Sequence, residues 1–238
     1  MTTIDNLRIK IFADGADRDG MLRLYTKPWI SGFTTNPTLM HMAGITDYEK
    51  FARSILQDIP DKPLSFEVFS DDFDEMRRQA LKIAAWGKNV YVKIPITNTR
   101  GESACPLIRK LADSGVKLNI TALMTLEQVK AVSEAAASGP STFVSIFAGR
   151  IADTGLDPVP LIARAVEIVA PHPQQEILWA SPREVLNIFQ ADRINCHIIT
   201  VTHSILAKLT TVGKNLDELS LDTVKMFRND AVAAGFSL

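Results

Sequence analysis

Eight short runs of strand-forming residues recur along the chain, and each is followed by a stretch with helical spacing. From the third run onward they begin at residues 64, 90, 117, 142, 176 and 196, about as far apart as a strand, two loops and a helix require. This alternation predicts a parallel sheet closed into an α/β fold, the (β/α)8 TIM barrel. The predicted strands are residues 9–14, 32–34, 64–70, 90–96, 117–122, 142–147, 176–180 and 196–201.

The intervening helical stretches support the same architecture. Thr125 can cap a helix over residues 125–137. A further helical pattern at residues 220–234 lies outside the eight repeats, and we expect it to cover a barrel end or to contact a neighbouring subunit. Because no Pro-, Gly- or Ser-rich linker divides the chain, residues 1–238 are predicted to form one barrel domain with this C-terminal extension.

A doubly wound sheet is the second fold to consider, since it also consists of alternating strands and helices. That fold commonly binds nucleotides through a glycine-rich turn. The chain has no G-x-G-x-x-G after its first predicted strand and no G-x-x-x-x-G-K-[ST] anywhere, so nucleotide binding is unsupported.

The charge balance narrows the range of partners. Lys and Arg number 26 against 27 Asp and Glu, which gives a formal charge of -1 and no electrostatic reason to expect nucleic acid or a membrane surface. Cys105 and Cys196 are too few for a disulfide framework. The first residues lack the pattern of a signal peptide, and no apolar run reaches membrane-spanning length. We therefore expect a cytoplasmic protein that acts on small molecules.

Lys93 interrupts a run, residues 89–96, that otherwise has the pattern of a buried strand. Val90, Val92 and Ile94 share one face of that strand, which turns Lys93 to the other face. In a parallel barrel the apolar face packs on the helices and the opposite face points inward. A lysine is rarely buried unless it is paired or takes part in chemistry, and this position suits a Schiff-base lysine.

Other polar side chains recur where the predicted strands end, which is where barrel enzymes place their catalytic groups. Alternation points those within the strands into the barrel. So many polar groups at one barrel end cost stability, and they therefore indicate chemistry. The candidates are Asp14, Thr35, Asn36, Glu67, Lys93, Asn119, Thr121, Ser145 and Ser181, with Arg150 and Arg183 in the loops after strands six and seven.

Each candidate also has a structural explanation. A lone Asn or Ser at a strand end can satisfy a backbone group. Glu67 and Lys93 can form a buried ion pair. The two arginines can be surface residues paired with Asp153 and Glu184. The convergence of all these groups on one end of one barrel is the argument for function over structure.

At these residues the chain resembles the transaldolase family, in its small single-barrel branch that includes the fructose-6-phosphate aldolases. The resemblance spans most of the chain, and its most specific segments are Thr34-Thr35-Asn36-Pro37 and Val92-Lys93-Ile94-Pro95. The other matching segments are Phe12-Ala13-Asp14, Glu67-Val68, Asn119-Ile120-Thr121, Ser145-Ile146-Phe147-Ala148-Gly149-Arg150 and Ala180-Ser181-Pro182-Arg183. Gly15 departs from the pattern, because the family usually has Thr or Ser after the first Asp.

The resemblance implies catalytic roles for four residues. Lys93 would attack a ketose phosphate and form a Schiff base, and Asp14 would take the proton from the C4 hydroxyl. Glu67 and Thr121 would hold a proton-shuttling water. The implied substrate-binding residues are Thr35, Asn36, Asn119, Ser145 and Phe147, with Arg150, Ser181 and Arg183 for the phosphate. The substrates would be sugar phosphates, and no metal or organic cofactor would be needed.

Two positions bear on the reaction within the family. Transaldolases carry Glu and Phe where fructose-6-phosphate aldolases have Gln and Tyr, and this chain has Glu67 and Phe147. The resemblance thus favours transfer of a dihydroxyacetone unit over its release as free dihydroxyacetone. Two further functions stay open: a transaldolase for a specialised sugar, and a non-enzymatic barrel that binds sugar phosphates. Relatives form rings, so a homo-oligomer is expected.

The four histidines have no spacing that suggests a metal site. They are His41, His172, His197 and His203. We expect them to be structural or solvent-exposed.

Overall fold

Eight strands form a closed barrel in sequence order in the computed structural model, which describes residues 4–236. Every strand is parallel to both of its neighbours, which confirms the predicted (β/α)8 barrel. The strands are β1 Lys10–Asp14, β2 Ile30–Thr34, β3 Leu64–Glu67, β4 Val90–Pro95, β5 Leu118–Leu123, β6 Thr142–Phe147, β7 Gln175–Ala180 and β8 Ile198–Thr202.

The strands lose the most residues relative to the prediction at the end of β3 and at the start of β8, where side chains take over backbone hydrogen bonds. β3 ends three residues early, since the amides of Phe69 and Ser70 both donate to the side-chain oxygen of Gln79 instead of continuing the ladder. β8 begins at Ile198 because the Nδ1 atom of His197 accepts from the amide of Ile177 on β7. Both changes lie at strand ends, where hydrogen bonding to neighbours is least constrained.

Eleven α-helices lie in the described part of the chain. Thr125 caps α6 as predicted, and it forms a reciprocal capping box with Gln128. The helices are α1 Arg18–Tyr25, α2 Pro37–Met42, α3 Tyr48–Asp58, α4 Phe73–Ala84, α5 Cys105–Asp113, α6 Leu126–Ala135, α7 Ala148–Ala152, α8 Pro158–Val169, α9 Leu186–Arg193, α10 His203–Ala207 and α11 Leu216–Ala233.

The C-terminal helix α11 begins four residues earlier than the predicted 220–234. Asn215 explains the difference, because its side chain accepts from the amides of Asp217 and Glu218 and so caps the helix. No residue of α11 is buried, and Phe227 on it is 62% exposed. The helix therefore does not cover an end of its own barrel, and the homo-oligomer stays a prediction.

Apolar side chains fill the inside of the barrel below its mouth. Phe12, Tyr91, Phe143, Leu178 and Ile198 form this inner cluster, separate from the larger core between sheet and helices. The Tyr91 and Phe143 rings are stacked, with centroids 3.9 Å apart. The lumen is thus packed, and it provides an apolar floor beneath the polar strand ends.

Candidate active site

A cavity of about 520 Å³ opens at the carboxyl ends of the strands, and we call it the mouth cavity. Every candidate side chain from the sequence lines it except Thr35. These residues are Asp14, Asn36, Glu67, Lys93, Asn119, Thr121, Ser145, Phe147, Arg150, Ser181 and Arg183. The structure therefore brings together groups that are up to 169 residues apart in sequence, from Asp14 to Arg183.

Lys93 lies at the centre of this cavity and is 7% exposed. Its Nζ atom donates to the main-chain carbonyl of Thr35 at 2.9 Å and lies 3.2 Å from a carboxylate oxygen of Glu67. Glu67, Lys93 and Asn119 share one level of the barrel, because they are register partners on β3, β4 and β5. The amine is thus fixed from two sides, and an acid able to exchange a proton with it is adjacent.

Thr35 is a correction to the sequence-based placement. Its side chain is fully buried and donates to the main-chain carbonyl of Ser65 at 2.9 Å. Thr34 lines the cavity instead, because β2 continues as a strand through Thr34 and alternation then turns the next side chain outward. Among the described contacts, Thr35 reaches Lys93 only through its main-chain carbonyl, which accepts from the Lys93 amine and so orients it.

Tyr48 holds the backbone of Glu67. The Glu67 amide donates to the Tyr48 oxygen at 2.7 Å, and the Tyr48 hydroxyl donates to the Glu67 carbonyl at 3.1 Å. Burial raises the pKa of Tyr48 far above its usual value, so the hydroxyl stays protonated. The sequence-based prediction missed this residue, because Tyr48 lies at the start of a helix, 19 residues before the strand residue that it holds.

Asp14 occupies the end of β1, on the side of the cavity that also carries Thr34 and Thr200. The Thr34 hydroxyl donates to the Asp14 carboxylate at 2.7 Å and lies 2.5 Å from the Thr200 hydroxyl. Burial raises the pKa of Asp14, while the positive charge of Lys93 and the Thr34 hydrogen bond oppose that rise. A carboxylate with raised proton affinity is a stronger base, which suits it for proton abstraction.

Threonines on β8 were absent from the predicted site. Thr200 and Thr202 both line the mouth cavity. The alternation of Ile198, Thr200 and Thr202 along the strand is the signal that identifies them, because it places all three on the inner face.

A chain of hydrogen bonds crosses the cavity floor from β3 to β6. The Asn119 amide nitrogen donates to the Ser65 hydroxyl at 2.9 Å, and the Ser145 hydroxyl donates to the Asn119 amide oxygen at 2.6 Å. Both ends of the Asn119 amide are therefore oriented. Ser65 was not predicted, and it acts as the anchor of this chain.

Thr121 differs from its neighbours on the cavity wall. Its hydroxyl is buried and has no hydrogen-bond partner among the described residues. A buried hydroxyl without a protein partner is costly unless a ligand or water engages it. Thr121 is the register partner of Pro95, two residues beyond Lys93 on β4, so the hydroxyl lies beside the strand that carries the amine.

Arg150 and Arg183 line the side of the cavity beyond β6 and β7. Arg150 was predicted to lie in a loop, but it is on helix α7, which begins directly after β6, whereas Arg183 lies in the loop after β7. The guanidinium of Arg183 binds both carboxylate oxygens of Asp153, with its Nε atom 3.0 Å from Oδ1. The guanidinium carbon of Arg150 lies 5.6 Å from the centre of the Phe147 ring. Arg183 is therefore paired with Asp153, which was one of the structural explanations for the arginines. The same residue nevertheless borders the cavity.

Helix α7, which follows β6 directly, touches the loop after β7 at Gly149. A Cβ atom at Gly149 would lie 1.7 Å from the carbonyl oxygen of Ser181, so no other residue fits there without displacing that loop. Ser181 has a φ of 59°, a left-handed conformation that is uncommon outside glycine. Strain of this kind persists where surrounding structure enforces it, and here it turns Ser181 towards the mouth cavity.

The described part of the chain offers no evident metal or membrane element. Within residues 4–236, no group of three or more His, Cys, Asp or Glu side chains is arranged to hold a metal ion. No helix in that range combines the length and apolar character needed to cross a bilayer.

Comparison with known proteins connects this site to one family. The family model described as Transaldolase/Fructose-6-phosphate aldolase matches residues 11–238. A "probable transaldolase" from Dehalococcoides mccartyi is 34% identical over 202 residues, which cover 84% of this chain and 90% of the relative. One from Streptococcus agalactiae is 35% identical over 204 residues, covering 85% of this chain and 90% of the relative.

Solved structures agree with the architecture. Two from Burkholderia cenocepacia J2315, whose names assign them provisionally to the lyases or mutases, have TM-scores of 0.60 and 0.58. They cover 97% and 88% of this chain, and this chain covers 85% and 94% of them. At 13% identity the likeness concerns the fold alone. The family model and the relatives decide the assignment: the chain belongs to the transaldolase/fructose-6-phosphate aldolase family.

Proposed function

We propose that this protein is a transaldolase that moves a dihydroxyacetone unit from a ketose phosphate to an aldose phosphate through a Schiff base on Lys93. The observation that carries the proposal is the buried Lys93 amine, 3.2 Å from Glu67 and in the same cavity as Asp14 and the two arginines. Fructose 6-phosphate as donor and erythrose 4-phosphate as acceptor are the proposed substrates.

Schiff-base formation begins with proton transfer. Glu67 takes a proton from the Lys93 ammonium, and the neutral amine attacks the ketose carbonyl carbon. The carbinolamine then loses its hydroxyl as water, which needs proton delivery. Glu67 and a water held by the free hydroxyl of Thr121 supply it, and the product is a protonated iminium.

Asp14 then starts carbon–carbon cleavage. It takes the proton of the C4 hydroxyl, the C3–C4 bond breaks, and its electrons move into the iminium to form an enamine while an aldehyde leaves. The aldose acceptor is attacked by that enamine, and Asp14 returns its proton to the new alkoxide. Addition of water to the resulting iminium releases the ketose product and restores Lys93.

The remaining residues bind the substrate. Asn36, Asn119 and Ser145 contact the hydroxyls of the three-carbon unit, and the oriented Asn119 amide fixes their positions. Arg150, Ser181 and Arg183 bind the phosphate by charge-assisted hydrogen bonds. Phosphate binding far from the reacting carbons supplies energy for positioning the carbonyl beside Lys93.

Replacing Arg183 with alanine is expected to lower kcat/KM for fructose 6-phosphate by roughly 10- to 150-fold, because one charge-assisted contact is worth about 1.5–3 kcal/mol. Steady-state assays with phosphorylated and unphosphorylated donors measure the loss, which should be confined to the phosphorylated one. Arg164→Ala is the matched control, since Arg164 is an exposed residue on α8 paired with Glu167. Equal losses for both donors would remove Arg183 from the phosphate site.

Replacing Phe147 with tyrosine is expected to raise release of free dihydroxyacetone and to depress transfer. The enamine on Lys93 either waits for an acceptor or is protonated and hydrolysed, and a phenyl ring has no hydroxyl with which to deliver that proton. Free dihydroxyacetone from fructose 6-phosphate is measured with and without erythrose 4-phosphate, in both proteins.

Three competing functions are separated from the transferase by this assay, by a panel of substrates and by borohydride trapping. Rapid release without acceptor by the unmodified protein would identify a fructose-6-phosphate aldolase. Transfer with other sugars in a panel of ketose phosphate donors and aldose phosphate acceptors would identify a specialised transaldolase. Ligand binding without borohydride trapping would identify a binding protein.

A further inference from the structure

His203 is a titratable side chain beside the site that the proposed reaction does not use. It is the first residue of α10, directly after β8, and it is half-buried. It is absent from the mouth-cavity lining and instead borders a second cavity of about 540 Å³ on the outer side of the barrel, together with Arg23 and Trp29. The imidazole therefore lies in the wall between Asp14 and that outer cavity.

Two glycines make room for the ring. A Cβ atom at Gly15 would lie 2.7 Å from Nε2 of His203, and one at Gly20 would lie 2.7 Å from Cε1 and Nδ1. Gly15 follows Asp14 directly, and Gly20 lies inside α1, where glycine is less favourable than alanine. A side chain at either position would clash with the imidazole, and glycine at both positions avoids that clash.

Charged groups from several elements face the ring. Burial lowers the pKa of His203, the carboxylates of Asp17 before α1 and Asp14 on β1 oppose that shift, and the positive charge of Arg23 on α1 adds to it. The Nε2 atom is buried and has no hydrogen-bond partner among the described residues. Lys93 and Glu67 act on Asp14 with opposite signs, since the Lys93 charge lowers the pKa of Asp14 and the Glu67 charge raises it.

We infer that His203 is a positioning residue of this active site: it fixes the turn that carries Asp14 and interacts with that carboxylate, so that the pair sets the acidic limit of the reaction. The inference rests on the proposed role of Asp14 as the base. Burial raises the pKa of Asp14 and lowers that of His203, which brings the two titrations towards the same pH range, and the attraction between the two charges couples them.

The coupling has a definite direction. A protonated imidazole favours the ionised carboxylate, so it lowers the pKa of Asp14. Glutamine at 203 cannot supply that charge, and Asp14 then becomes protonated at higher pH. In the pH profile of kcat/KM, the acidic limb is the range in which activity falls as Asp14 becomes protonated. We expect this limb to move to higher pH by about 0.5–1 pH unit in His203→Gln.

A matched control is available at the opposite end of β8. His197 is also half-buried but precedes β8 at the other end of the barrel, so His197→Gln should leave the limb in place. A merely structural role of His203 would lower kcat at every pH without moving the limb. An unmoved limb in folded His203→Gln would overturn the inference.

A second measurement needs neither turnover nor the His203 variant. Linkage is reciprocal, so replacing Asp14 with asparagine removes a negative charge and should lower the pKa of His203. Nuclear magnetic resonance titration of the histidines, without substrate, measures this, and His197 serves as the internal reference. An unchanged His203 titration would overturn the inference whatever the protein catalyses, whereas a shift together with failed borohydride trapping would overturn only the proposed reaction.

Discussion

Lys93→Met is expected to abolish turnover, with a loss of roughly four orders of magnitude or more, because no other group can form the covalent intermediate. Borohydride with a ketose phosphate should label the unmodified protein at Lys93 and leave the variant unlabelled, as peptide mass mapping will report. The fold should survive. Methionine has a similar volume to lysine, and the Glu67 carboxylate that loses its partner faces the open cavity.

Lys62 provides the control for this experiment. Burial lowers the pKa of Lys62, so its amine loses a proton more readily than that of an exposed lysine. Its Nζ atom donates to the carbonyl of Tyr25, and it does not line the mouth cavity. Lys62→Met should keep both labelling and activity. Labelling of any lysine other than Lys93 would contradict the mechanism.

Asp14→Asn is expected to slow cleavage by about 10²- to 10⁴-fold, the usual contribution of a positioned general base. Asparagine preserves the shape of the side chain and can still accept from Thr34, but it cannot take a proton. Borohydride trapping should persist, because Schiff-base formation uses Glu67 and precedes the step that needs Asp14. Trapping and turnover are measured on the same preparation.

Asp17→Asn is the matched control for Asp14→Asn. Asp17 lies three residues later and caps α1 by accepting from the amide of Gly20, a role that asparagine fills equally well. Its side chain is largely exposed, and cleavage should continue near the normal rate. If Asp14→Asn abolished trapping as well, Asp14 would have to act before cleavage, in formation of the Schiff base.

Strand periodicity was sufficient to identify most of the site. Glu67, Lys93, Asn119 and Ser145 lie inside strands, and there a side chain that differs from its apolar neighbours can face only one way. The Thr35 side chain does not line the cavity, because the alternation of β2, carried one residue further, turns that side chain outward. The same alternation, applied to β8, would have found Thr200.

Contacts between distant segments could not be predicted from the sequence. Pairing of Asp153 with Arg183 was one of two structural options for that arginine, and only the packed loops decide between them. Tyr48 and His203 support the site from helices, where no alternation marks them as inward-facing. His203 was expected to be structural or exposed, and its position after the last strand was the available signal.

The contact at Gly149 makes helix α7 and the loop after β7 behave as one part. Because its α-carbon faces the Ser181 carbonyl so closely, a single added methyl group would press on the strained residue that precedes Arg183 by two positions. Neither segment can then be remodelled alone without disturbing the other. Laboratory evolution that aims to widen the range of donors should therefore vary residues of both segments together.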